Sequence, residues 1–330
     1  MLILLFYFGR MKSGRPDHAE LKYRWIMRYT EAQVTSELLD QPEFNGEPAK
    51  IFICSTPRSG SYMLCRYMIN AGLGVPHEYF NPVIMREIAP RLDLAKDIEG
   101  LKWRSRGLRD RLPFGKPDRT AEINFLTKYY AVLVRKRCQR GIFAAKIHFE
   151  DFITVLDNPV GLKLLDGGLF IHIFREDLLK QAISRNFAFA TGRWGIDDTV
   201  TTAPLASNNL LSVAGVDREL KSLADQDRGW RVFLARNGLS PMTISYEKFC
   251  EDPPGFVLAI AGRLGIDSNT LRLDYNEPIS PTRNDDPDFP SRSEVMHSYL
   301  AAVRQLRGAS IAAEPPGDVR VSPPRRETVE

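Results

Sequence analysis

Apolar positions along the chain fall into two periods, and their alternation predicts strands interleaved with helices. Residues 18–40 place Leu21, Trp25, Ile26, Tyr29, Val34, Leu38 and Leu39 at helical spacing, before Gln41-Pro42 and Gly46-Glu47-Pro48 punctuate the run into a linker. Ile51-Phe52-Ile53-Cys54 is a continuous run of β-type residues. After Thr56-Pro57-Arg58-Ser59-Gly60-Ser61 the period lengthens through Tyr62, Leu64, Cys65, Met68 and Ile69, which predicts strand, tight loop, helix. Gly141 to Ile147 and Leu169 to Phe174 are further strand-like runs, followed by helical patterns over 149–156 and 176–190. Met242 to Ser245 precedes a helix over about 247–264.

Right-handed crossovers need a helix between parallel neighbours, so this order predicts the α/β class: a P-loop-like parallel sheet flanked by helices, with helical lid elements. The stretch 81–119, rich in Arg, Pro and Gly, reads as an inserted lid, and 205–237 as a helical excursion between strands. Both are candidate acceptor-site elements, with Trp103 or Trp194 available to stack on a sugar. From about 308 the apolar period is lost, as in a disordered tail. The expected organisation is a helical extension over 1–48, a main domain over 49–305 and a tail over 306–330.

At 330 residues and 43% hydrophobic content the chain has ample material for a core. Its net charge of +4 makes no case for nucleic-acid binding, and leaves open a local basic pocket for a phosphorylated small molecule. Cys54, Cys65, Cys138 and Cys250 lie far apart with no CxxC pair, which disfavours a zinc ribbon and reads as reduced thiols in a cytoplasmic protein. The apolar run Leu2 to Phe8 is too short for a membrane span and lacks a signal peptide's basic leader, so no transmembrane segment is expected. It reads as an upstream start, an amphiphilic anchor or a frayed end.

The chemistry concentrates where a parallel sheet collects ligands, beyond the carboxyl ends of its strands. Thr56 to Ser61 opens the first helix there. Gly60 lets backbone approach an anion, Ser59 and Ser61 supply hydroxyls, and Arg58 adds a permanent charge. A plain Ser-Gly helix cap has the same look. It is not a Walker A loop, because the Gly-Lys-Ser/Thr ending is missing. A phosphotransferase or nucleotide hydrolase, which would need that lysine and magnesium ligands, is the competing reading. A non-catalytic nucleotide-binding module is another.

Glu78 follows the first helix past Gly72 and Gly74, where the chain can return toward the same edge. Ionised at neutral pH, it is competent to take a hydroxyl proton, although most loop glutamates are surface carboxylates. His77 is the alternative base. Arg175 ends the strand Leu169 to Phe174, ahead of a helix carrying Ser184. An ion pair with Glu176 or Asp177 is worth under ~1 kcal/mol, whereas a phosphate contact contributes about 1.5–3 kcal/mol. Lys146 and His148 end the second strand at the same edge. Ala182 to Trp194 mixes arginines and aromatic residues that read as core or pocket wall.

Thr56-Pro57-Arg58-Ser59-Gly60-Ser61 with Leu64, and Pro76-His77-Glu78-Tyr79-Phe80 beyond the helix, resemble the Stf0 family of bacterial sulfotransferases over about residues 50–300. The resemblance implies that Thr56, Pro57, Arg58, Ser59, Gly60 and Ser61 hold the 5′-phosphosulfate of 3′-phosphoadenosine-5′-phosphosulfate (PAPS). It implies that Glu78 is the general base, assisted by Arg58, and that Arg175 and Ser184 bind the 3′-phosphate. PAPS is then the co-substrate, 3′,5′-ADP the product, and no metal is expected. The acceptor is a hydroxyl of a carbohydrate or glycolipid, and a homodimer is left open. Ile244 to Phe249 resembles a structural region of sulfotransferases. The Arg-Lys-Gly-x-x-Gly donor loop of the cytosolic enzymes is missing, with Arg283 or Arg292 as candidate substitutes.

Overall fold

Four strands form a single parallel sheet in the order β2-β1-β3-β4, namely β1 Ala49–Ser55, β2 Ile142–His148, β3 Leu169–Phe174 and β4 Met242–Ser245. The computed structural model describes residues 36–99, 101, 120–191, 194, 211–275 and 290–313. β1 is central: Ile53 lies opposite Lys146 and Ile171, and Ser55 opposite His148 and Ile173. Because all four strands run the same way, the loops after them gather at one edge.

The helices are α1 Ser61–Ala71, α2 Pro82–Ile88, α3 Ala95–Ile98, α4 Thr120–Arg137, α5 Phe149–Asp151, α6 Pro159–Leu165, α7 Leu178–Thr191, α8 Val213–Arg236, α9 Tyr246–Glu251, α10 Pro253–Arg263 and α11 Arg292–Ala313. The helix expected over 149–156 is α5 continued by a π-helical turn, Phe152–Leu156. That expected over 247–264 is two helices, since Asp252 accepts from Gly255 N–H to cap α10 and Pro253 occupies its first position. α4, unanticipated, buries Phe125, Leu126, Tyr129 and Leu133 along one face of a mostly polar segment. α11 runs to Ala313, so the boundary expected at 306 falls inside it. Residues 1–35, 102–119 and 205–210 lie outside the described residues, as do Arg283 and the chain from 314 onward.

Strand alternation sorts the core into two layers. Phe52, Cys54, Phe143, Ala145, Ile147 and Phe170 face α4 and α8, where Trp230 is fully buried. Ile51, Ile53, Ala144, Ile171 and Ile173 face α1 and α10 through Leu64, Met68, Val257 and Ile260. Burying each of the larger aliphatic and phenylalanine side chains contributes about 1.5–3 kcal/mol. Polar pins register the helices. Trp230 Nε1 donates to Ser55 O at 2.9 Å, and His172 Nε2 lies 3.0 Å from Asp227 Oδ1. The fully buried Arg137 pairs with Asp40 at 3.0 Å, which ties the segment before β1 to α4. Cys54, Cys65 and Cys138 are buried and unbridged, and Cys250 is partly buried. Among the described residues no helix is long and apolar enough to cross a membrane.

Candidate active site

The loop after β1 is held in one shape from both sides. Gln181 of α7 donates to Thr56 Oγ1 at 2.8 Å and to Pro57 O at 2.7 Å. Arg58 adopts φ 66 and Gly60 φ 82, both left-handed. At Gly60 that conformation goes with crowding, because a Cβ there would overlap the ring of Tyr246. Ser59 is fully buried, and among the described residues its hydroxyl has no hydrogen-bond partner. A buried donor of this kind, beside the N–H groups that open α1, suits an oxyanion.

On the β3 side of this loop stand the cations. Arg58 Nε donates to Ser184 Oγ at 3.0 Å, and its Nη1 donates to Trp194 O. Arg175 Nη1 reaches Arg58 O at 3.5 Å, and its guanidinium lies over the Tyr246 ring at 4.9 Å. The carboxylate of Glu247 sits 3.7 Å from Arg175 Nε while accepting from Glu176 N–H at 3.0 Å. Arg58, Arg175 and Ser184, separate in sequence, are therefore contiguous. Here Ser184 receives Arg58.

On the β2 side stands the carboxylate. α1 ends at Gly72 in the left-handed conformation, with Leu73 N–H donating to Met68 O, and the chain turns back beside β2. Lys146 N–H donates to His77 O at 2.8 Å, which carries residue 78 to the sheet's edge. Tyr79 and Phe80 are buried in the core below; Tyr79 OH donates to Val75 O, and Tyr129 OH to Tyr79 O, both at 2.8 Å. Anchored on both sides, Glu78 keeps 7% of its surface exposed.

Three groups converge on one oxygen, Glu78 Oε1: Lys146 Nζ at 2.5 Å, His148 Nε2 at 3.0 Å and Tyr62 OH at 3.0 Å. Oε2 takes none of these contacts. Lys146 and His148 are two residues apart on β2, so both project from the same sheet face. Lys146 also lies 3.0 Å from the centroid of the Tyr62 ring, and His148 Nδ1 lies 3.1 Å from Ser55 Oγ. Burial alone would raise the Glu78 pKa. The charges of Lys146 and His148, and their hydrogen bonds, override it and hold the carboxyl well below its usual range.

His77, the alternative base, points elsewhere. Its ring is fully buried, its Nδ1 accepts from Glu78 N–H at 2.6 Å, and burial holds its pKa well below the usual value. Asp151, at the start of the helix after β2, adds a second carboxyl near Glu78; burial and then the Glu78 charge push its pKa well up. Tyr62 and Gln181 were legible only as members of helical patterns, since their polar ends act across to other elements. Among the described residues no cluster of three or more His, Cys, Asp or Glu is arranged to hold a metal.

Comparison with known proteins places this geometry. Residues 50–286 match the Stf0 sulphotransferase family. Trehalose 2-sulfotransferase of Mycobacterium tuberculosis (strain ATCC 35801 / TMC 107 / Erdman) is 23% identical over 254 residues, covering 71% of this chain and 91% of that protein. A crystal structure of a sulfotransferase from Alicyclobacillus acidocaldarius aligns with 80% of this chain and 96% of its own, at a TM-score of 0.38 and 14% identity. With the loop, Glu78, Arg175 and Ser184 all inside the matched span, the chain belongs to the Stf0 sulphotransferase family and is a sulfotransferase.

Proposed function

We propose that the enzyme transfers the sulfuryl group of PAPS to a hydroxyl of a carbohydrate or glycolipid, with Glu78 receiving the hydroxyl proton. The observation that carries this reading is the Glu78 carboxylate, buried at the sheet's edge, with Lys146, His148 and Tyr62 all gathered on its Oε1. Oε2 remains for the acceptor. The loop Thr56 to Ser61 takes the phosphosulfate, the orphaned Ser59 hydroxyl finds its partner there, and Arg175 and Ser184 take the 3′-phosphate. The trehalose 2-sulfotransferase relative supports a sugar as acceptor.

In the reaction the acceptor oxygen attacks sulfur in line with the bridging oxygen of the 5′-phosphate. The new O–S bond forms as the bridging S–O bond breaks, its electron pair leaves with 3′,5′-ADP, and the hydroxyl proton passes to Glu78. A carboxylate held well below its usual range is a weak base. The proton therefore moves late, once bonding to sulfur has made the hydroxyl acidic. Up to that point Glu78 orients the oxygen.

Incubation with PAPS labelled in the sulfuryl group, against a panel of disaccharides and glycolipids, tests the reading. Label is expected on a sugar sulfate ester in amounts matching the 3′,5′-ADP released. Release of 3′,5′-ADP with label only in inorganic sulfate, whatever the sugar, would count against it.

A further inference from the structure

α11 comes from the far end of the chain to the cationic side of the loop. Its first turn is fixed by a reciprocal cap: Ser291 Oγ accepts from Glu294 N–H at 3.2 Å, and the Glu294 carboxylate accepts from Ser291 N–H at 2.6 Å. Val295 and Tyr299 are buried against Ile183 and Phe187 of α7 and Val216 of α8. Arg292 is thereby laid over Phe187, its guanidinium carbon 5.7 Å from the ring centroid. Phe187 is one helical turn from Ser184, so Arg292 lies over the face of α7 that also carries Ser184.

Among the described residues, the charges of Arg175 and Arg292 are only partly balanced. Arg292 Nε is buried, and among the described residues it has no hydrogen-bond partner and no carboxylate pairs with Arg292. Arg175 Nε also lacks a hydrogen bond, and the 3.7 Å carboxylate of Glu247 is shared with backbone N–H groups. Burial, followed by repulsion from Arg175, holds the Arg292 pKa below its usual value, which places the two guanidinium groups within each other's field. Folding like charges together costs stability, and a multiply charged anion between them offsets it.

We infer that Arg292 acts with Arg175 on the phosphate carried by the donor's ribose, so that the C-terminal helix is part of the donor site and sets its preference for a doubly phosphorylated nucleoside. This rests on the donor reading above. Calorimetry with 3′,5′-ADP and 5′-AMP on wild type, Arg175→Gln, Arg292→Gln and Arg292→Lys tests it. Wild type is expected to prefer 3′,5′-ADP. Arg292→Gln should lose about ten- to a hundred-fold in 3′,5′-ADP affinity, the scale of one charged hydrogen bond, with 5′-AMP binding unchanged. Arg292→Lys, which keeps the charge and much of the packing, should fall between.

Wild-type 3′,5′-ADP affinity in both Arg292 variants, with loss in Arg175→Gln, overturns the role of Arg292 and leaves the donor reading standing. Equal loss of both nucleotides in Arg292→Gln assigns it to packing and also overturns the inference. Absence of any preference in wild type removes the donor reading itself, and this inference with it.

Discussion

Glu78 and Lys146 are the residues on which stability and chemistry meet. Lys146 has no exposed surface, and its charge is tolerated because the Glu78 carboxylate lies 2.5 Å away. Glu78→Gln therefore strands a buried cation and should cost about 3–5 kcal/mol in chemical denaturation. Glu78→Gln combined with Lys146→Met removes both charges and should recover most of that loss; a double variant as unstable as the single one would show that the pair is not the cause. The pH dependence has a definite sign. Unfolded, Glu78 binds its proton near ~4.3, and folded at a lower pH, so between these values the unfolded state holds more protons and stability rises with pH. The stability of wild type relative to the double variant should be constant above the ordinary carboxylate range and fall progressively as pH drops from that range to the depressed value, as followed by urea midpoints.

The loop after β1 shows what an element can reveal in sequence and what it hides. Its composition marked an anion cradle because hydroxyls, a glycine and an arginine sit at a strand-to-helix turn. The ring of Tyr246 packed where a Gly60 side chain would project comes from the segment after β4, and no local pattern announces it. Gly60→Ala should lower 3′,5′-ADP affinity at least about ten-fold, since one overlapping side chain displaces a loop whose fit must be close. Gly238→Ala is the comparison: φ there is 62 with nothing within 4 Å, so it should cost about 1 kcal/mol of stability and leave affinity unchanged. Similar affinity losses in both would show that backbone strain, not the Tyr246 contact, is responsible.

The strands were legible because β-type runs between glycines and prolines leave little choice of period; Leu169–Phe174 and Met242–Ser245 are predicted and observed with the same bounds. α4 was not, because its buried face of Phe125, Leu126, Tyr129 and Leu133 is diluted by lysines and arginines. The break at Asp252-Pro253 was in plain view as a cap followed by proline. Glu78 and Arg175 were singled out by their place at the sheet's edge and by the resemblance, Ser184 by the resemblance, and Lys146 and His148 as residues ending a strand. Their convergence on one carboxylate oxygen depends on His77 pairing along the edge of β2, which is tertiary.

At the scale of the whole molecule, the sheet order β2-β1-β3-β4 divides the work. β1 lies between the two halves and supplies the loop. The β3 side contributes Arg175 and Ser184, and the β2 side contributes Lys146 and His148 around Glu78. A net charge of +4 over 330 residues is thus small because the cations that matter are local, and carboxylates balance the remainder. On the proposed reading, a donor seated against β1 has its 3′-phosphate toward β3 and its sulfuryl group toward Glu78, with the 5′-phosphate leaving on the side away from that carboxylate, which is the arrangement an in-line transfer requires.

Single-turnover transfer from labelled PAPS to the best sugar acceptor, compared between wild type and Glu78→Gln, tests this account most directly. The comparison is made at a temperature where the variant keeps its affinity for 3′,5′-ADP. The account predicts a rate about 10²- to 10⁴-fold lower with donor binding intact, the contribution of a positioned proton acceptor. Transfer at the wild-type rate would contradict it.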